Sequence, residues 1–146
     1  MQVVYADIDP IVLAHARALL RATPEGVTEY IEADIRKPEL IIEQARRILD
    51  FGQPIALMLI ALMHFVPDAE GAHDHVHTLV DALPSGSHLV LSRLTDDLYP
   101  ERMRAASRAY QAHGIALVDR SRAEIERFHR TSAGRPRGGP GQTVSS

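Results

Sequence analysis

The sequence predicts an α/β fold with a doubly wound, mainly parallel sheet. Short apolar runs that are typical of strands alternate with segments whose apolar residues recur at helical spacing. The longest apolar run, PIALMLIALMHF at residues 54–65, is hydrophobic almost throughout, which is expected of a strand that is covered on both faces. Strands and helices that alternate in this way form parallel sheets with helices on both sides.

Local patterns predict the elements in order. Asp9 can cap the free amides of the first helix, and Pro10 suits the first helical position because it has no amide to satisfy. The second strand alternates apolar and polar residues, and Pro38 begins the second helix. The turn PSGS precedes the fourth strand, and Gly114 suits a left-handed end of the fourth helix. The strands are predicted at residues 3–6, 27–34, 55–61, 88–94 and 115–121, and the helices at residues 10–21, 38–50, 74–83, 100–113 and 123–130.

The composition fits one globular domain. The chain has 146 residues, of which 45% are hydrophobic and 24% charged, and we assign the domain to residues 1–130. Residues 131–146 are rich in Gly, Pro, Ser and Thr and are expected to be a disordered tail. No apolar segment is long enough to span a membrane, no secretory leader is evident, and cysteine is absent, so we expect a cytoplasmic protein without disulfides or thiol chemistry.

The charge is unevenly distributed along the chain. Residues 1–92 carry 13 acidic and 6 basic side chains, a net charge of −7, and residues 93–146 carry 6 acidic and 10 basic ones, a net charge of +4, which sum to −3. Aromatic residues make up only 5% of the sequence, and Phe128 is the only one among the arginines of the last stretch, so the stacking residues common in nucleic-acid-binding surfaces are scarce there. We expect neither a nucleic-acid partner nor a membrane partner.

Two aspartates follow the first two predicted strands. Asp7 and Asp34 each lie where an apolar run ends, and ligands of parallel sheets bind outside the carboxyl ends of the strands. One carboxylate could accept hydrogen bonds from ribose hydroxyls and the other from the amino group of adenine, with Ile8 and Ile35 on either side of the ring. A strand-end aspartate that only stabilises a helix start is also common.

Four blocks of the sequence together resemble an actinobacterial S-adenosylmethionine-dependent methyltransferase family, formerly a domain of unknown function. The blocks are VVYADIDPIVLAHARALL, PEGVTEYIEADIRKPE, PIALMLIALMHFVPD and ALPSGSHLVLSRLTDD, in this order. The resemblance implies a class I methyltransferase, Rossmann-like fold that binds S-adenosylmethionine. It implies that Asp7 binds ribose, that Ile8 and Ile35 contact adenine, and that Asp34 binds the adenine amino group. It also implies that Ala61 and His64 line the mouth of the site.

The chain departs from this family at its beginning. The first residues already match the family's second strand, and no glycine-rich G-x-G loop occurs before the tail. We therefore expect an incomplete fold that lacks the first strand and its loop, which makes the protein a truncated form with doubtful activity. The absent strand would lie between the first and third strands of this chain and leave their edges unpaired, a cost that the fold must avoid by re-pairing, rearrangement or self-association.

Other interpretations stay open at this stage. A dinucleotide-binding oxidoreductase domain shares the acid after an early strand, and a non-enzymatic remnant that acts only by association is a further alternative. His64 could be a general base, although a histidine packed behind the central strand is more common. His73 and His77 have a spacing that is used to bind zinc, but a solvated helix start explains these histidines better. We assign no catalytic residue and no metal.

Overall fold

The structure is a computed structural model that describes residues 1–19, 26–92, 100–129 and 144–145. The chain divides into two compact units, Met1–Gln53 and Pro54–Ser146.

The first unit is a pair of parallel strands with two helices. Strands β1 (Gln2–Asp7) and β2 (Val27–Glu32) pair in parallel from Gln2 opposite Val27 to Asp7 opposite Glu32. Helix α1 (Pro10–Leu19) follows β1, and helix α2 (Pro38–Ala45) follows β2. The buried apolar residues of this unit are Leu13, Tyr30, Ile31, Ile35 and Ala45.

The ends of these helices follow from their hydrogen bonds. The amide of Ile11 donates to Oδ1 of Asp9 at 2.8 Å, which confirms Asp9 as the cap of α1. Helix α2 ends at Ala45, five residues before its predicted end at residue 50. The amides of Arg47 and Ile48 reach back only three residues, to the carbonyls of Gln44 and Ala45, so the chain tightens and leaves the α-helical path.

The second unit contains the other strands and helices. Strands β3 (Ala56–Ile60), β4 (His88–Ser92) and β5 (Val144–Ser145) form a parallel sheet in the order β3-β4-β5. Its helices are α3 (Ala72–Asp81), α4 (Pro100–Ala112) and α5 (Arg122–Glu126). The buried apolar residues are Leu59, Met63, Val66, Ala72, Val76, Leu79, Leu89, Leu91, Leu117, Ile125 and Phe128.

Strand β3 is buried on one face only, so the prediction of a strand covered on both faces is wrong. Leu59 is 5% exposed, whereas Met58 is 62% and Ile60 51% exposed. Because neighbouring side chains of a strand point to opposite faces, Met58 and Ile60 share one face, which is largely exposed in the described part of the chain.

The predicted strand at residues 115–121 is also wrong. The segment is irregular, and its polar groups bond outside any sheet: the amide of Val118 donates to the carbonyl of His64 at 2.8 Å, and Ser107 Oγ donates to the carbonyl of Leu117 at 2.7 Å. Helix α4 before it is followed by Gly114 with φ +74°, which confirms the left-handed C-terminus. Gly71 takes a φ of +81° and allows α3 to begin at Ala72, two residues earlier than predicted.

The α/β class with parallel strands is confirmed, but the described strands form two sheets instead of one doubly wound sheet. Residues 20–21 of the first predicted helix, residues 93–94 of the fourth predicted strand and Arg130 of the last predicted helix lie outside the described residues. So does the predicted tail, apart from the two residues of β5. Within the described ranges, no helix combines the length and the apolar character required to cross a bilayer.

Candidate functional site

Asp7 and Asp34 lie at the same edge of the sheet in the first unit. Asp7 is the last residue of β1 and is paired with Glu32, two residues before Asp34. The amide of Ala33 continues this pairing by donating to the carbonyl of Asp7 at 2.9 Å. Parallel pairing therefore brings both aspartates to the carboxyl end of the two strands, as the sequence predicts.

Both aspartates form the same local turn. Oδ1 of Asp7 accepts the amide of Asp9 at 2.8 Å, and Oδ1 of Asp34 accepts the amide of Arg36 at 2.9 Å. Each bond to the backbone two residues ahead fixes the carboxylate and the chain direction after the strand. Within the described chain, Oδ2 of each aspartate accepts no hydrogen bond, and an ionised carboxylate oxygen can accept two.

A basic residue accompanies the second aspartate. The Nη1 atom of Arg36 lies 3.5 Å from Oδ1 of Asp34, and the two side chains are 41% and 23% exposed. This exposed ion pair offsets part of the negative charge at the sheet edge. The pairing of Arg36 was not predicted, and the only sequence signal for it is a basic residue two positions after the acid.

The two isoleucines next to the aspartates differ in exposure. Ile8 is 60% exposed, directly after β1, whereas Ile35 is 8% exposed and belongs to the core of the unit. Ile8 can therefore offer an apolar surface to a ligand, and Ile35 supports the turn that carries Asp34.

The remaining predicted residues lie in the second unit, after β3. Ala61 has a φ of +52°, a backbone conformation that residues other than glycine rarely adopt. Its amide donates to the carbonyl of Ser92 at 3.0 Å. His64 belongs to a short 3₁₀ turn, Met63–Phe65, and is 5% exposed, with its ring centroid 4.2 Å from that of Phe65. Its burial agrees with the alternative of a packed histidine.

The interpretation of the histidines at 73–77 as a solvated helix start is wrong for His73. This ring stacks on Phe128 at a centroid distance of 4.0 Å, and its Nε2 lies 3.6 Å from Oδ1 of Asp68. Burial lowers the pKa of His73 below its usual value. In the described part of the chain, no group of three or more potential metal ligands is present.

The sequence did not predict the burial of Arg120, which is the largest fully buried side chain among the described residues. It is 1% exposed, although arginine is rarely buried unless it is paired. Nothing in the stretch IALVDRS distinguishes this arginine from a solvated one, because its partners lie more than fifty residues earlier in the chain.

Comparisons with known proteins agree with the resemblance. The S-adenosyl methyltransferase family model matches residues 1–133. Among solved structures, a DUF574 family protein from Streptomyces avermitilis is 42% identical with a TM-score of 0.83, and the match covers 88% of this chain and 50% of that one. A candidate methyltransferase from Thermobifida fusca is 37% identical with a TM-score of 0.74, over 87% of this chain and 47% of that one. The chain thus spans about half the length of these structures. No curated protein matches it.

Proposed function

The chain belongs to the S-adenosyl methyltransferase family, and from this premise we propose that it binds S-adenosylmethionine through the edge of its first sheet. The proposed cofactor-binding residues are Asp7, Ile8 and Asp34, and the buried Ile35 supports them. After β3 in the second unit, the exposed Ala61 is a separate proposed ligand position, and the buried His64 belongs to the turn that follows it. Methyl transfer to an acceptor is part of the proposal, and the acceptor is not assigned.

One observation carries the proposal. The two aspartates share the carboxyl edge of β1 and β2, and each is held by a bond to its own backbone that leaves Oδ2 free to accept. The pair offers acceptors for the adenosyl group of the cofactor, which has two ribose hydroxyls and an exocyclic amino group.

Each side chain has a distinct role in this proposal. Oδ2 of Asp7 accepts from the ribose hydroxyls, and Oδ2 of Asp34 accepts from the adenine amino group. Ile8 covers one face of the ring with its exposed side chain, and Ile35 supports the turn of Asp34 from the core. The dinucleotide-binding alternative loses support because the family match covers residues 1–133.

When bound, the cofactor supplies an electrophilic methyl group on its sulfonium, so the protein's main task is to hold the acceptor in line with it. A cytoplasmic location is also part of the proposal, and the absence of cysteine is compatible with it.

The test is calorimetric titration of the folded chain with S-adenosylhomocysteine. Asp7→Asn and Asp34→Asn each keep an oxygen for the local turn but replace the free acceptor with an amide donor. We expect each variant to weaken binding about tenfold or more, because a hydrogen bond to a charged group contributes roughly 1.5–3 kcal/mol.

The matched control is Asp9→Asn, which changes the same charge in the same turn but keeps the cap of α1. It should bind as the parent does, and NAD⁺ should not bind to any of the proteins. Saturable binding that survives both Asp7→Asn and Asp34→Asn contradicts the site assignment. A folded chain that binds no S-adenosylhomocysteine contradicts the proposed function and supports the non-enzymatic alternative.

A further inference from the structure

A single buried arginine holds the segment that follows β3. The guanidinium of Arg120 donates from Nη1 to the carbonyl of Met63 and from Nη2 to the carbonyl of Val66, both at 2.7 Å. Its Nε lies 3.0 Å from Oδ1 of Asp68, and its Nη2 bonds to the same oxygen. All three acceptors therefore lie within residues 63–68.

The backbone on either side of Arg120 is itself fixed. Val118 donates its amide to the carbonyl of His64 at 2.8 Å, and Leu117 accepts a bond from Ser107 at 2.7 Å. On the other side, Ser121 and Glu124 form a capping box at the start of α5. The arginine thus extends from a rigid base.

The forked guanidinium of Arg120 can make all of these hydrogen bonds at once, which a lysine ammonium could not. Three donor nitrogens in one plane reach two carbonyls and a carboxylate at once, whereas an ammonium is a single point charge. Burying such a charge is an inefficient way to gain stability, since an apolar replacement of similar volume is often as stable. A role in fixing one particular backbone arrangement is a better explanation of these contacts.

The segment fixed in this way begins with strained backbone. Ala61, directly after β3, has a φ of +52°. Its side chain is exposed, so side-chain packing does not explain this conformation. Strained residues persist where the surrounding structure over-determines them, and they cluster at ligand sites. The segment also leaves the carboxyl end of a parallel strand, where ligands of such sheets bind.

We propose that Arg120 is a positioning residue that fixes the peptide groups of residues 61–68 in the arrangement that binds the S-adenosyl ligand. This inference rests on the proposed function, because it needs a ligand of that class. It adds a residue about sixty positions away from Ala61 in the sequence that does not touch the ligand itself.

The test compares Arg120→Lys with Ser107→Ala. Ser107→Ala removes another buried hydrogen bond to the same stretch of chain, but it keeps the hydrogen bonds from Arg120 to the carbonyls of Met63 and Val66.

Each protein is titrated with S-adenosylhomocysteine below the onset of its own unfolding, and amide hydrogen exchange of residues 61–68 is measured with and without the ligand. We expect Arg120→Lys to bind about tenfold more weakly and to exchange faster in this segment, as misplacement of binding groups predicts. Ser107→Ala should lose thermal stability with an unchanged Kd.

A second variant keeps the test decisive if Arg120→Lys does not fold. Asp68→Asn alters a half-exposed partner and leaves both carbonyl contacts in place, so it should fold and show a smaller loss of affinity. Wild-type binding that Asp7→Asn weakens but Arg120→Lys or Asp68→Asn leaves unchanged overturns this inference alone. Absence of wild-type binding overturns the proposed function and this inference with it.

Discussion

Ala61 is the only residue other than glycine that has a positive φ among the described residues. A left-handed conformation costs a residue with a Cβ roughly 1–2 kcal/mol, and glycine avoids this cost but loses more entropy on folding, by about 0.5–1 kcal/mol. Because the Ala61 side chain is exposed, its removal sacrifices little packing. We expect Ala61→Gly to raise the free energy of unfolding by about 0.5 kcal/mol, measured by urea denaturation.

The control for this prediction is Ala105→Gly, on the exposed side of helix α4. That change should lower the free energy of unfolding by about 1 kcal/mol, because the helical backbone gains nothing from glycine. Ala61→Val should also destabilise, since a branched side chain suits a positive φ poorly. A loss of stability in Ala61→Gly equal to that in Ala105→Gly would mean that the backbone at Ala61 is not strained.

At the scale of the elements, the sequence predicts what local chemistry decides. The start of α1 at Pro10 and its cap by Asp9 follow from residues next to one another, and so does the left-handed glycine after α4. The positions of Asp7 and Asp34 follow as well, because parallel strands must bring their carboxyl ends to one edge.

Long-range contacts decide the elements that the sequence does not predict. Residues 115–121 have the composition of a strand, yet their amide and carbonyl groups bond to His64 and Ser107. The burial of Arg120 and the exposure of Met58 depend in the same way on which groups pack nearby. Periodicity carries no information on those neighbours.

Two partly buried histidines, one in α3 and one in the 3₁₀ turn at Arg127–His129, lead us to predict that stability depends on pH. Burial lowers the pKa of His73 and of His129, and the charged or titratable groups acting on them are Asp68, Arg120, Arg127, His77 and Glu126. A histidine whose pKa is lower in the folded than in the unfolded state, where it is about 6.5, makes the unfolded state bind more protons. Stability should therefore be full above that pH and fall as the pH decreases from 7.5 to 5.5, which thermal unfolding would measure.

His73→Phe isolates one contribution to this pH dependence. The phenyl ring keeps an aromatic partner for Phe128 and cannot titrate, so Tm should depend less on pH between 7.5 and 5.5 than in the parent. The control is His15→Phe on the exposed surface of α1, which should keep the parental dependence. Equal pH profiles for His73→Phe and the parent would show that His73 is not responsible. The Asp68 carboxyl titrates at more acidic pH. Burial is the largest single influence and raises its pKa, but the Arg120 hydrogen bond together with the nearby charges of Arg120, His73 and Arg127 outweighs burial and holds the pKa below its usual value of 3.8.

For the whole molecule, the two separate sheets predict self-association. Among the described strands, β1 pairs only with β2, and β3 pairs on one side only, with β4. An open strand edge with exposed apolar side chains, here Met58 and Ile60, is a template for pairing with another chain.

We expect light scattering after gel filtration to give the purified protein at least twice the mass of one chain. Ile60→Lys should shift the protein toward the monomer, because a charge on an edge strand opposes pairing. The control Ile115→Lys changes an isoleucine of similar exposure outside the strands, 45% against 51% exposed, and should leave the mass unchanged. A monomeric parent at high micromolar concentration would show that neither edge recruits a second copy, and a shift with both variants would point to general surface hydrophobicity instead of strand pairing.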